Sequence, residues 1–186
     1  MTQSESAGFD PAAYYTFDLA VGAVRNRHGD RVLVFSADAV GPLVATAARH
    51  GDLTSVRTFG KRMGEYAAQS LSADAGSSAP ELVLNHASGT LSLLGWGQLS
   101  LERWGRALVL RLDGAPDLDG GRLGLAALLG GLFTSLGGQD VACVPVGEAS
   151  RFIVVHPQVA ETVWTWTKEG AGLPEVVARL MPEGSA

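Results

Sequence analysis

The chain has 186 residues, 46% of them hydrophobic and 18% charged, which excludes disorder over most of its length and predicts a globular domain with a real core. A net charge of −5, a pI near 5.3 and 14 basic residues that never cluster exclude a surface built to track phosphates, so no nucleic-acid partner is expected. The single cysteine cannot form an internal disulfide, so the fold needs no oxidising compartment and the expected location is cytoplasmic.

Residues 1–10 read as a mobile tail, followed by a single globular domain over 11–182. The opening MTQSESAGFDPAAYY lacks the basic start and apolar run of a secretory signal. Pro11 to Val24 fits a first helix with Tyr14, Phe17, Val21 and Val24 on one face. His28-Gly29-Asp30 marks a turn, and Val32 to Phe35 is too continuously apolar for a solvent-facing strand, which predicts a strand inside a sheet. Ser36 caps a helix over ADAVGPLVATAARHG, and Gly51 ends it.

A second helix is predicted from Thr54 to Ser72, burying Val56, Gly60, Met63, Ala67 and Leu71 and leaving Arg57, Lys61, Arg62 and Glu65 to solvent. Asp74 to Pro80 is a small, polar loop ending in proline. A third helix starts near Pro80, carries Leu82, Val83, His86, Leu91 and Leu94, and stops at Gly95.

Gly95 to Val155 alternates at period two around a tight turn, switches to period 3.6, and alternates again: hairpin, helix, hairpin. Two short helices follow, over Gln158–Lys168 and Leu173–Leu180, before a fraying MPEGSA end. The fold class expected is α/β in the α+β sense: an antiparallel sheet of about four strands built from hairpins, with helices mainly on one face.

The central helix has a small face of Gly120, Gly124, Ala127, Gly131 and Ser135 and a large face of leucines. Interior glycines cost roughly 0.5 to 1 kcal/mol each against alanine, so several of them imply a packing reason. Close approach of another backbone, a subunit interface and the floor of a ligand site all satisfy that requirement. Its apolar core, Leu123 to Leu136, is too short to span a bilayer, and no transmembrane segment is expected.

Chemistry-bearing residues are sparse. His28, His50, His86 and His156 are each isolated and lack metal-ligand spacing, so no metal is expected. Only His86 stands on an apolar helix face. Cys143 lies in a predicted strand rather than at a helix N-terminus, which reads as buried and inert. No nucleophile elbow, Walker loop or dinucleotide fingerprint is present in the sequence, so no cofactor is expected. Asp113, Asp117 and Asp119 lack EF-hand spacing and read as a solvated turn. Aromatic residues remain, and among them Trp104, beside a turn, is the first choice for a contact residue.

The segments DRVLVFSADAVGPLV, RTFGKRMGEYAAQSL, GWGQLSLERW, LAALLGGLFTSLGG and VACVPVGEASRFIVV, in this order, resemble the 4-vinyl reductase domain, a small-molecule-binding relative of the TRAPP vesicle-tethering subunits. The resemblance spans roughly residues 20 to 157. That family closes on a strand with a cysteine, a glycine four residues on, a second cysteine and an aromatic. Cys143, Gly147 and Phe152 match, but Ser150 and Arg151 stand where the second cysteine would be, so a two-cysteine metal or redox site is not carried over. The resemblance implies binding of a hydrophobic or aromatic molecule, or service as an assembly subunit. The run LLGWGQLSLERW with LAALLGGLFTSL also resembles the D component of bacterial cellulose synthase, an oligomeric scaffold.

The expected function is therefore a non-catalytic module for small-molecule binding or assembly, with a hydrophobic pocket or interface between helices and sheet. Two alternatives stand beside it: a scaffold component of a cellulose synthesis and export machinery, and a tetrapyrrole-related reductase accessory protein. A homo-oligomer is expected, formed through the glycine-striped helix or the Arg57-bearing helix, with a hydrophobic small molecule or a larger protein complex as further partner. The residues expected at the ligand or interface are Trp96, Trp104, His86, Phe133, Gly124, Gly131, Cys143 and Phe152.

Overall fold

The structure is a computed structural model that describes residues 14–70, 80–118, 121–147 and 150–181. The N-terminal tail, most of the Asp74–Pro80 loop, Asp119, Gly120 and the frayed end read from the sequence lie outside the described residues. Among the described residues the chain divides into two compact units, one up to Ser36 and one from Ala37 onward.

The first unit is an antiparallel meander of β1 (Tyr15–Asp18), β2 (Ala23–Asn26) and β3 (Arg31–Val32). This corrects the helix expected over Pro11–Val24. Tyr15 pairs with Asn26 and Asp18 with Ala23, because the intervening residues form a turn. Gly22 takes φ +60°, and Asp18 Oδ1 accepts from the N–H groups of Ala20 and Val21 at 3.1 and 3.3 Å. A run of Tyr, Thr and Phe suits the pleated backbone better than the helix interior. At the second turn, Asn26 Oδ1 accepts from His28 N–H at 2.9 Å and Asp30 N–H at 2.8 Å.

The strand expected over Val32–Phe35 is also corrected. Only Arg31 and Val32 pair, and Leu33, Val34 and Phe35 run on beyond the sheet, 67%, 72% and 65% exposed. Continuous apolarity signals a surface that wants covering; it does not fix strand geometry.

The second unit opens with α1 (Ala37–Arg49), α2 (Thr54–Ser70) and α3 (Pro80–Leu93). A hairpin follows, β4 (Gln98–Trp104) and β5 (Ala107–Asp113), then α4 (Gly121–Gly137) and the hairpin β6 (Ala142–Pro145) and β7 (Arg151–Val155). The described chain ends in α5 (Pro157–Lys168) and α6 (Leu173–Leu180). The sheet order is β4-β5-β7-β6, antiparallel throughout, with Leu110 opposite Phe152 and Cys143 opposite Val154. The hairpin, helix, hairpin order and the four-stranded α+β sheet agree with the alternation in the sequence.

Pleating divides the sheet between two cores. Leu99, Leu110, Leu112, Cys143 and Phe152 belong to the core shared with α1 to α4. Ala107, Val109, Val144, Ile153 and Val155 belong to the core shared with Val163 of α5 and Val176 of α6. Among the described residues, four of six helices therefore cover one face.

The glycine stripe of α4 is explained by α2. A Cβ added at Gly131 would fall on the Arg57 carbonyl, and one added at Gly60 would fall on the Leu128 carbonyl. Gly64 approaches the Leu132 carbonyl in the same way, and Gly124 meets the side chain of Val44 in α1. The two helices thus cross backbone to backbone, and the faces expected to bind a second subunit are packed against each other within one chain. G60A or G131A is expected to force the pair apart and cost about 2 to 3 kcal/mol by overpacking, read in a denaturant melt. G137A, where a Cβ meets nothing within 4 Å, is expected to be neutral or to stabilise by up to about 1 kcal/mol.

Candidate functional site

Helix α3 packs on β4 and on α2. Ser88 Oγ donates to the Leu99 carbonyl at 2.9 Å and Ser92 Oγ to the Gly97 carbonyl at 3.2 Å, which fixes one flank of the helix to the start of β4. Gly95 at φ +77° then reverses the chain, and Trp96 N–H bonds back to the Leu91 carbonyl at 2.9 Å. The indole is thereby buried in the core beside Ala87, Leu91 and Leu99. Phe59 of α2, half exposed, reaches the same edge, its ring centroid 5.9 Å from that of Trp96 at a 52° tilt.

On the opposite flank of α3, Val83, His86, Thr90 and Leu94 share a face at helical spacing. His86 is half-buried and Thr90 is wholly excluded from solvent. Among the described residues, Thr90 Oγ1 has no hydrogen-bond partner. The site is thus an aliphatic core with an aromatic pair at its edge and two polar side chains one helical turn apart.

Two arginines brace this core. Arg57 donates to Thr134 Oγ1 at 3.0 Å, to the Val141 carbonyl at 2.8 Å and to Asp140 at 2.5 Å. Helical spacing places it in solvent; instead it ties α2 to the end of α4 and the entry to β6. The same guanidinium holds the Asp140 carboxyl below its ordinary pKa. At the other end of α4, Arg122 donates to the carbonyls of Val146, Gly147 and Arg151, and its guanidinium lies 5.7 Å from the Phe152 ring centroid. Burial lowers the Arg122 pKa. Both arginines bond across 24 or more residues, a distance at which sequence spacing carries no signal.

The residues expected at the site separate into three groups. Trp96, Phe133, Cys143 and Phe152 line or flank the core between helices and sheet, with His86 on the α3 face that adjoins it. Gly124 and Gly131 serve helix packing. Trp104 is on the far side, partly buried against the core of α5 and α6, so it does not join the others. Its indole N–H donates to Glu102 at 3.1 Å and, with Arg151, holds that carboxyl below its usual range. Burial pushes the Cys143 thiol up to about 12, against the opposing pull of Arg57, so it stays protonated and unreactive at neutral pH. Phe59 and Thr90 are site residues that the sequence does not single out; the helical spacing of His86, Thr90 and Leu94 is the available sign.

Among the described residues, no three His, Cys, Asp or Glu side chains stand together in a group able to hold a metal ion, and no helix is long and apolar enough to cross a membrane. Compared by sequence, the chain matches no family model and no curated protein. By structure it is similar to the phenol-responsive sensory domain of the transcription activator PoxR, crystallised with phenol, at a TM-score of 0.52 and 12% sequence identity. The likeness covers 77% of this chain and 85% of the other, and it is a likeness of fold.

Asp140 supplies a pH test of the brace. Its folded pKa lies below the ordinary 3.8, so its contribution to stability is fully present above that value and is lost as pH falls through the folded one. D140N is therefore expected to melt below the wild type at about pH 7, and the gap is expected to close only as pH falls below the ordinary carboxylate range and through the lowered folded value. Parallel melting curves across that range would show that the Arg57 to Asp140 pair contributes nothing.

Proposed function

We propose that this chain is a non-catalytic module that binds a small apolar, aromatic molecule in the core between α2, α3, α4 and the inner face of the sheet. The observation that carries the reading is the composition of that core: the Trp96 and Phe59 rings at its edge, the half-buried Phe133 along it, and the polar pair His86 and Thr90 beside it. Binding sites for small molecules are mostly apolar, with few polar groups that set orientation. The fold likeness adds support, because the PoxR domain is phenol-responsive and was crystallised with phenol. Membership among 4-vinyl-reductase-like domains is part of the same proposal. A protonated Cys143 favours binding over covalent chemistry.

Phenol is the first probe. A ligand of about seven heavy atoms that gains roughly 0.8 to 1 kcal/mol per atom would bind with a Kd on the order of 10 to 100 µM. Titration calorimetry is expected to show one saturable site, and a phenol excess of about a hundredfold over Kd should stabilise the fold by about 2.7 kcal/mol in a thermal melt. Absence of saturable binding by phenol and by other monocyclic aromatics would contradict the proposal.

A second reading, assembly, is favoured by the first unit. Phe17, Leu19, Val21, Leu33, Val34 and Phe35 are all large, apolar and exposed within 19 residues of sequence. Summed, these side chains expose on the order of 700 Å² of apolar surface, near the roughly 800 Å² per partner of a standard interface. Exposed apolar side chains gain by burial against their like, so the occupant proposed is the same meander of a second copy, paired about a two-fold axis. Light scattering on the purified chain is expected to give a dimer, and the F17S/V34S/F35S variant a monomer with an unchanged circular dichroism spectrum. A monomeric wild type would remove this reading.

A further inference from the structure

Among the described residues the fold buries two polar side chains deeply, Asn26 and Thr90, and treats them differently. The Asn26 amide is hydrogen-bonded at both ends: its oxygen accepts from two backbone N–H groups and its nitrogen donates to Asp30 at 3.0 Å. Thr90 is 0% exposed and its hydroxyl meets no donor or acceptor of the protein among the described residues. A threonine in a helix ordinarily bonds the carbonyl one turn back, as Thr46 does to Pro42 at 2.8 Å and Thr165 to Glu161 at 3.0 Å in this chain. Thr90 departs from that habit. A buried hydroxyl without a partner carries its full desolvation penalty, and valine would fill the same volume without it.

We propose that the Thr90 hydroxyl is the anchor for the polar group of the bound molecule. The inference rests on the ligand-binding reading above and narrows it to a class: a small neutral aromatic bearing one hydroxyl. The position supports this class. The neighbours of Thr90 along α3, Ala87, Leu91 and Leu94, belong to the apolar core or pack against it. Helix α3 contributes no lysine or arginine to neutralise a carboxylate, so a neutral hydroxyl suits the place better than an anion. A hydroxyl can donate to Thr90 or accept from it, which satisfies the protein group and the ligand group together. In such a site, the analogue that lacks the hydroxyl leaves both unsatisfied and is rejected.

The test compares phenol with toluene, which has the same shape and no hydroxyl, on the wild type, T90V and T90S, with calorimetry for affinity and thermal melts of the unliganded chains. Wild type and T90S are expected to prefer phenol. T90V is expected to bind phenol at least about tenfold more weakly, to bind toluene as well as or better than the wild type, and to melt no lower without ligand. If T90V keeps the wild-type preference for phenol, the anchor is elsewhere and this inference falls while the binding reading stands. If T90V melts several degrees lower or does not fold, the hydroxyl serves the fold and the inference falls. If neither compound binds the wild type, the binding reading fails and takes the inference with it.

Discussion

The backbone-to-backbone crossing of α2 and α4 is the constraint on which the second unit depends. Gly60 and Gly64 on one helix and Gly131 on the other remove the side chains that would hold the axes apart. Interior glycines weaken both helices, and the close contact offsets that cost with dense packing and with the Arg57 hydrogen bonds it makes possible. Because α4 joins the two hairpins, its placement sets the sheet. Arg57 fixes the exit from α4 into β6, and Arg122 fixes the turn between β6 and β7 from the other end. The inner face of the sheet then meets α1 to α4 in one core, with α5 and α6 sealing the other face.

This frame explains where a ligand can be held. The strip between α2 and α4 is closed by backbone contact, so α4 offers no floor along its glycine stripe. Helix α3 is attached differently, by the hydroxyls of Ser88 and Ser92 to β4 and by the Trp96 reversal. The aromatic and polar side chains that suit recognition gather on and around that helix. Rigid support on one side and a side-chain-mediated contact on the other is a sound arrangement for a module that admits a small molecule.

Much of the second unit is legible in the sequence because each signal there is local. Gly51 and Gly95 end helices with positive φ, as their places after apolar-periodic runs indicate. The period-two runs on either side of α4 mark the hairpins, and the spacing of glycines marks a small face whose partner the sequence alone leaves open among a helix, a ligand and a second copy. The first unit misleads because Tyr14, Phe17, Val21 and Val24 satisfy a helical spacing as well as a strand reading. The turn at Asp18 to Gly22, made by a carboxylate accepting two backbone N–H groups, decides between them. Trp104 looks like a recognition residue from its turn alone, yet its strand phase points it to the core of α5 and α6. Phe59 and Thr90 become visible only through what surrounds them: a ring from a different element in one case, a hydroxyl with no partner among the described residues in the other.

Amide chemical-shift mapping of the isotopically labelled chain during a phenol titration decides whether the core beside α3 holds the ligand. The largest perturbations are expected over 83–96, including the Trp96 indole N–H, and at Phe59, with little change along α5 and α6. Perturbations concentrated on the meander, or on β4 around Trp104, with α3 unmoved, would contradict that placement.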